Sequence, residues 1–271
     1  QGGIHPDYTG ATYLAICRAV KRAVPQMHVH AFSPLEVQQG AATLHLSVPE
    51  FLAALKEAGL GTLPGTAAEI LDDRIRRAIC PDKLNTQDWL DVVAAAHRLG
   101  LRSTATIMFG HVDDTASWAR HLLAIRDLQD RTGGFTAFVP LPFVPMEAPL
   151  FAKGRARRGP TLREAVLMHA VSRLALHPLI ANIQTSWVKM GVEGVKLCLN
   201  AGANDLGGTL MNESISRAAG TQHGQELPPA EMQAVIRAIG RVPQQRETFY
   251  RPVSAEREAA ACAAAPREAA R

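Results

Sequence analysis

The stretch Gly100-Leu101-Arg102-Ser103-Thr104-Ala105-Thr106-Ile107-Met108-Phe109-Gly110 decides the fold. Gly100 ends a helical pattern over residues 87–99 that Thr86 can cap. Between the two glycines, β-branched and apolar residues favour a strand over 101–109, and Gly110 breaks it. Asp113 or Asp114 then starts a helical pattern reaching about Asp130. Phe135–Leu141 is the next strand, and it enters a proline-rich stretch from Pro140 to Pro149. A strand, a helix and a strand with short joints predict parallel strands linked by a right-handed crossover.

The same alternation extends both ways. Upstream, Thr9 or Thr12 can cap a helix to about Val24, and Met27–Phe32 reads as a strand stopped by Ser33-Pro34. Val48, Phe51, Leu52 and Leu55 repeat at helical spacing before Gly59. Leu60–Leu63 is a short strand closed by Pro64-Gly65, and a helical pattern covers about 67–79. Downstream, Thr161-Leu162-Arg163-Glu164 is a capping box that opens a helix to about Leu176. Leu179–Gln184 reads as a strand, 188–199 as a helix and 203–206 as a last short strand. Helical patterns follow near 213–219 and 229–239. After Tyr250 the composition turns to Ala, Arg, Glu and Pro, which predicts one domain over 1–250 and a disordered tail over 251–271.

These units predict an α/β fold, a TIM-like (β/α)8 barrel. The opening Gln1-Gly2-Gly3-Ile4-His5-Pro6 reads as a loop leaving a strand that is not there. The expectation is a barrel lacking about its first two strands.

Composition excludes several classes. Hydrophobic residues are 47% and charged residues 20%, an ordinary globular balance. No apolar run reaches the roughly 18 residues of a membrane span. The net charge of +4 is modest, and the basic excess lies in 153–158 and the tail, which argues against a nucleic-acid groove. Cys17, Cys80, Cys198 and Cys262 form no CxxC or CxxxCxxC. Their scatter suits a reduced, cytoplasmic protein with buried thiols.

In such barrels the site lies at the C-terminal ends of the strands. The polar residues expected there include His5, His28, His30, Ser33, Glu69, His111, Gln184, Asn204 and Asp205. His28 and His30 stand two apart and share a strand face, as a metal pair or as two hydrogen-bonded histidines. His111 follows Gly110 and can serve a site or a helix start. Glu69 can serve a helix dipole, or join the Pro64-Gly65-Thr66 backbone at a polar ligand.

Several long motifs carry a family resemblance. Gln1-Gly2-Gly3-Ile4-His5-Pro6, His30-Ala31-Phe32-Ser33-Pro34-Leu35-Glu36 and Leu63-Pro64-Gly65-Thr66-Ala67-Ala68-Glu69-Ile70-Leu71 resemble radical S-adenosylmethionine (SAM) enzymes. Ile79-Cys80-Pro81-Asp82-Lys83, Thr106-Ile107-Met108-Phe109-Gly110-His111 and Asn204-Asp205-Leu206-Gly207-Gly208-Thr209 narrow it. They are similar to the second-component enzymes of deazaflavin (FO) synthesis, which also occur as the C-terminal half of a fused FO synthase. The resemblance runs from Gln1 to about Tyr250.

It implies SAM and a 4Fe-4S cluster as cofactors, the cluster held through a CxxxCxxC loop. A 5′-deoxyadenosyl radical would act on L-tyrosine, whose 4-hydroxybenzyl part joins 5-amino-6-(D-ribitylamino)uracil on the path to coenzyme F-420. Partners would be the other FO synthase half, separate or fused, and a reductant protein. By resemblance, Gly2, Gly3, Ser33, Glu69, Met108 and Gly110 would bind SAM, and His5, His28, His30, Gln184 and Asn204 the substrates. His111 and Asp205 would be catalytic, holding the tyrosine amine or moving a proton. The CxxxCxxC is missing from this sequence, so the chain alone is expected to be inactive. Radical SAM enzymes of the futalosine route to menaquinone are the nearest alternative. A metal-dependent hydrolase using His28, His30, His111 and Asp205 is an alternative of another class.

Overall fold

The computed structural model describes residues 4–210 and 212–263. Gly2 and Gly3 lie outside the described residues. In chain order the elements are α1 (Gly10–Ala23), β1 (Val29–His30), α2 (Pro34–Thr43), α3 (Val48–Glu57), β2 (Leu60–Leu63), α4 (Asp73–Ile79), α5 (Thr86–Arg98) and β3 (Arg102–Phe109). They continue with α6 (Thr115–Thr132), β4 (Phe135–Pro142), α7 (Pro149–Ala152), α8 (Leu162–Leu176), α9 (Trp187–Asn200), α10 (Ile215–Ala218), α11 (Pro229–Ala238) and α12 (Ala255–Ala263). The strands form one sheet in the order β1-β2-β3-β4, with β1, β2 and β3 paired in parallel. No described helix is long and apolar enough to cross a membrane.

Two compact units divide the chain. The first comprises 1–107, 115–138 and 176–181, and the second 108–114, 139–175 and 182–271. In the first, α1, α2, α3 and α5 pack together, and Phe51, Leu52, Leu55, Leu63, Trp89 and Ile107 are almost fully buried. Gly40 lets α2 approach α3: a Cβ there would stand 2.5 Å from the Phe51 ring. In the second unit, Trp187, Val188, Val195, Cys198 and Leu199 of α9 join Leu206, Leu227 and Val235 in an apolar core.

Local signals explain most helix starts. Ser33 and Ser47 begin α2 and α3 with reciprocal capping boxes to Glu36 and Glu50, each followed by proline in the first turn. Thr161 and Glu164 make the expected box ahead of α8.

Other expectations change. α2 was not anticipated, although its capping box is plain. Asn85, not Thr86, caps α5, because its Oδ1 reaches the Asp88 N–H. The helix expected from 67 starts only at Asp73, since Ala67 and Glu69 take positive φ values of 60° and 45°. The strand over 27–32 shortens to Val29–His30. The expected strands at 179–184 and 203–206 reduce to one parallel bridge, Gln184 to Asp205. The tail expected to be disordered carries α12 up to Ala263.

Candidate functional site

Two polar clusters stand at strand ends and a third at the Gln184–Asp205 bridge. In the first unit, His28 Nε2 lies 2.7 Å and His30 Nδ1 2.8 Å from the Thr62 hydroxyl. Thr62 itself is buried. Burial, then the Lys21 charge, lowers the His28 pKa. Surrounding protein, then His28, lowers that of His30 to about 4, although the residue keeps solvent-exposed surface. Both rings are therefore neutral at neutral pH. His5 is exposed and stacks at 4.7 Å on Tyr8.

Ser33 and Glu69 of the same unit are engaged by protein. The Ser33 hydroxyl donates to Glu36 Oε2 at 2.7 Å within the α2 cap. Glu69 accepts from Lys83 Nζ at 2.6 Å. Its loop is tied by Arg76, which is 2% exposed and donates to the carbonyls of Ala67, Ala68, Ile70 and Leu84. Each left-handed non-glycine residue costs about 1–2 kcal/mol, so these bonds offset the strain at Ala67 and Glu69.

In the second unit, the turn after β3 is closed by Asp113. Its carboxylate accepts from Gly110 N–H at 2.9 Å and from His111 N–H at 2.6 Å. The His111 ring is fully buried. Its Nδ1 lies 2.7 Å from the Val112 N–H and 3.3 Å from Asp113 Oδ1, and its Nε2 3.0 Å from the Met108 carbonyl. Both nitrogens of the ring expected to handle a substrate proton thus have protein partners in this turn, the Asp113 carboxylate among them. Gly110 has no spare space either: a Cβ would stand 2.2 Å from Pro160. Met108 is half-buried at the strand end.

Asp205 anchors the third cluster. Its Oδ2 accepts from Arg246 Nε at 3.1 Å, from Arg246 Nη2 and from the Tyr250 hydroxyl at 2.6 Å. Its Oδ1 accepts from Gly207 N–H at 2.8 Å. The Arg246 guanidinium also sits 4.1 Å over the Tyr250 ring. Burial first, then the Asp205 charge, raises the Tyr250 pKa. An Asp held this way ties Arg246 and Tyr250 to the Gln184–Asp205 bridge, a structural role beside the proton-handling one expected of it. Gln184 lies over Gly207, where a Cβ would be 1.9 Å from Nε2. Asn204 is exposed, and its Oδ1 accepts from Ile183 N–H and Arg173 Nη2, both at 2.8 Å. Arg246 and Tyr250 were missed by sequence reasoning. They lie 41 and 45 residues from Asp205, with no local signal pointing back to it.

Three of the four cysteines do not fit an iron–sulfur cluster. Cys17, Cys80 and Cys198 are buried, and burial raises each thiol pKa, that of Cys198 to about 11. Cluster ligands are thiolates, which need the opposite environment. Among the described residues no three His, Cys, Asp or Glu side chains gather as a cation site, which also removes support for the hydrolase reading. Of the residues expected at SAM, Ser33 and Glu69 bond protein side chains, and the Gly110 N–H bonds Asp113.

Residues 132–259 match the family model described as the CofH/MqnC C-terminal region. The chain is 54% identical over 250 residues to an FO synthase of Mycobacterium leprae, covering 92% of this chain and 29% of that protein. It is 54% identical over 261 residues to an FO synthase of Streptomyces coelicolor, covering 96% and 30%. The chain thus spans less than a third of the FO synthases it matches. To the 5-amino-6-(D-ribitylamino)uracil–L-tyrosine 4-hydroxyphenyl transferase of Methanothermobacter thermautotrophicus it is 47% identical over 253 residues, covering 93% and 69%. Among solved structures, methylornithine synthase (PylB) aligns with a TM-score of 0.58 at 17% identity, over 87% of this chain and 64% of that one. That likeness concerns the fold, of the TIM-barrel type with a parallel sheet.

Proposed function

The chain belongs to the family of the 5-amino-6-(D-ribitylamino)uracil–L-tyrosine 4-hydroxyphenyl transferases, and from that premise we propose that it forms the substrate-handling part of such an enzyme. The reaction joins the 4-hydroxybenzyl part of L-tyrosine to the ribityl-diaminouracil in deazaflavin formation. The observation that carries this reading is 47% identity across 69% of the transferase's length.

In the family, SAM and a 4Fe-4S cluster supply a 5′-deoxyadenosyl radical. The chain's own residues bind and orient. In the first unit His5, His28 and His30, and in the second Gln184 and Asn204, present donors and acceptors suited to ribityl hydroxyls or to the polar ends of tyrosine. Glu69, poised by Lys83 and by the Arg76-tied loop, offers a carboxylate to ribose hydroxyls, and Met108 an apolar face to an adenine. Gly2 and Gly3 keep their place in this reading as backbone donors. His111 and Asp205 remain the groups suited to hold the tyrosine amine or move a proton, the first in the turn after β3 and the second at the Gln184–Asp205 bridge. The other FO synthase half and a reductant protein complete the system.

A chimera tests the proposal. The matching segment of the Methanothermobacter transferase is replaced by this chain, and the tyrosine–diaminouracil adduct is measured with SAM and reductant. Adduct formation is expected. Turnover of a futalosine-type substrate instead, or a folded chimera that binds neither tyrosine nor the diaminouracil, would overturn it.

A further inference from the structure

A slip in strand register brings two histidines to one hydroxyl. Val29 pairs with Leu60, yet His30 pairs with Thr62, so β2 advances two residues while β1 advances one. Gly61 is the residue passed over, and the His28 ring fills the space a side chain would take. A Cβ on Gly61 would stand 2.4 Å from His28 Cε1. His28 Nε2 and His30 Nδ1 thereby meet the same Thr62 Oγ1, at 2.7 and 2.8 Å.

Thr62 has one hydroxyl proton to give and lone pairs to accept. With both rings neutral, one ring donates to Oγ1 while the hydroxyl donates to the other. Two arrangements meet this condition. In one, both rings carry the proton on Nε2; in the other, both carry it on Nδ1. Both rings donating together would send the Thr62 proton to seek another acceptor.

We propose that His28, Thr62 and His30 form a proton relay, with Thr62 the positioning residue that couples the two rings. A proton arrives on His28 Nδ1. The His28 Nε2–H bond breaks as that proton passes to Oγ1, and the hydroxyl proton passes to His30 Nδ1. His30 then gives up its Nε2 proton at the C-terminal end of β1. One proton enters, one leaves, and no electrons change hands. Reversal restores the starting tautomers. The relay deepens the proposed function and rests on it for its destination, an ionisable substrate group such as the phenol or amine of tyrosine. The coupling itself stands on the geometry.

Long-range 15N–1H correlation spectra of the folded chain at neutral pH test it. The expected result is one shared tautomer for His28 and His30, exchanging at one common rate. Thr62→Ser keeps that rate. Thr62→Val and Gly61→Ala each uncouple the rings and slow exchange by about tenfold or more; Gly61→Ala does so with all three polar groups intact. Opposite tautomers in the two wild-type rings, or a common rate that survives Gly61→Ala, would overturn the relay. Coupled rings alongside a chimera that makes no adduct would refute the proposed function and leave the relay standing.

Discussion

The His28–Thr62–His30 and Asp205–Arg246–Tyr250 clusters satisfy their polar groups in opposite ways. The first uses neutral groups that share one hydroxyl, so proton positions can exchange without stranding a charge. The second balances a carboxylate with a guanidinium and a phenol, and each bond is fixed by charge. The ionic cluster ties a distant segment to the Gln184–Asp205 bridge; the neutral one leaves its strand end chemically adjustable. Of the two, the weaker cluster is the better place to look for chemistry.

Substitutions can break that contrast, and the largest effect is expected at Arg246. Arg246→Ala leaves a carboxylate side chain that is 8% exposed without its cation. Unfolding in urea should show a loss of about 3 kcal/mol, the low end for a broken buried pair because Arg246 is partly exposed. A loss below about 1 kcal/mol would mean the cluster is not anchored by charge.

Acid should act on the buried neutral histidines of the first unit. Burial lowers the His97 pKa from 6.5 to about 4. Its unfolded form binds the proton first, so stability falls as pH drops from about 6.5 to about 4 and levels off below. The loss through His97 is at most about 3 kcal/mol. Urea midpoints measured across that window should fall less in His97→Gln, whose amide can still bond Ser103 or Thr132. An equal fall in both proteins would remove His97 from the account.

Tyr250→Phe removes one bond to Asp205 and keeps the Arg246 pair. A loss of about 1–2 kcal/mol is expected, within which the hydroxyl is a secondary support. A loss equal to that of Arg246→Ala would make the phenol, rather than the charge, the anchor.

Thr62→Val should have the smallest effect on stability, about 1 kcal/mol, recovered in Thr62→Ser. Thermal unfolding of both variants would decide it. A loss as large as at Arg246 would make the neutral cluster a structural tie after all.

Local signals carried the parts of the fold that were legible. Periodicity and flanking glycines located α5, β3, α6 and β4, and Thr161 with Glu164 announced α8. The capping box of Ser33 and Glu36 made α2 readable too, and the alanines of 255–263 could have signalled α12. What stayed hidden depends on distant partners. The segment 67–72 has a helical pattern, yet Arg76 draws its carbonyls inward and keeps it from becoming a helix. Within the candidate site, residues at strand ends were found by position, but their partners were not. Nothing near Asp205 announces Arg246, and nothing near His28 announces that Gly61 makes room for its ring.

The Arg76 knot has a dynamic consequence. One guanidinium joins carbonyls at Ala67, Ala68, Ile70 and Leu84, so none of these can leave without disturbing the others. The backbone amides from Thr66 to Leu84 are therefore expected to exchange with solvent as one cooperative block. The Glu69 carboxylate thus rides on a segment that opens as a whole and has no soft hinge of its own.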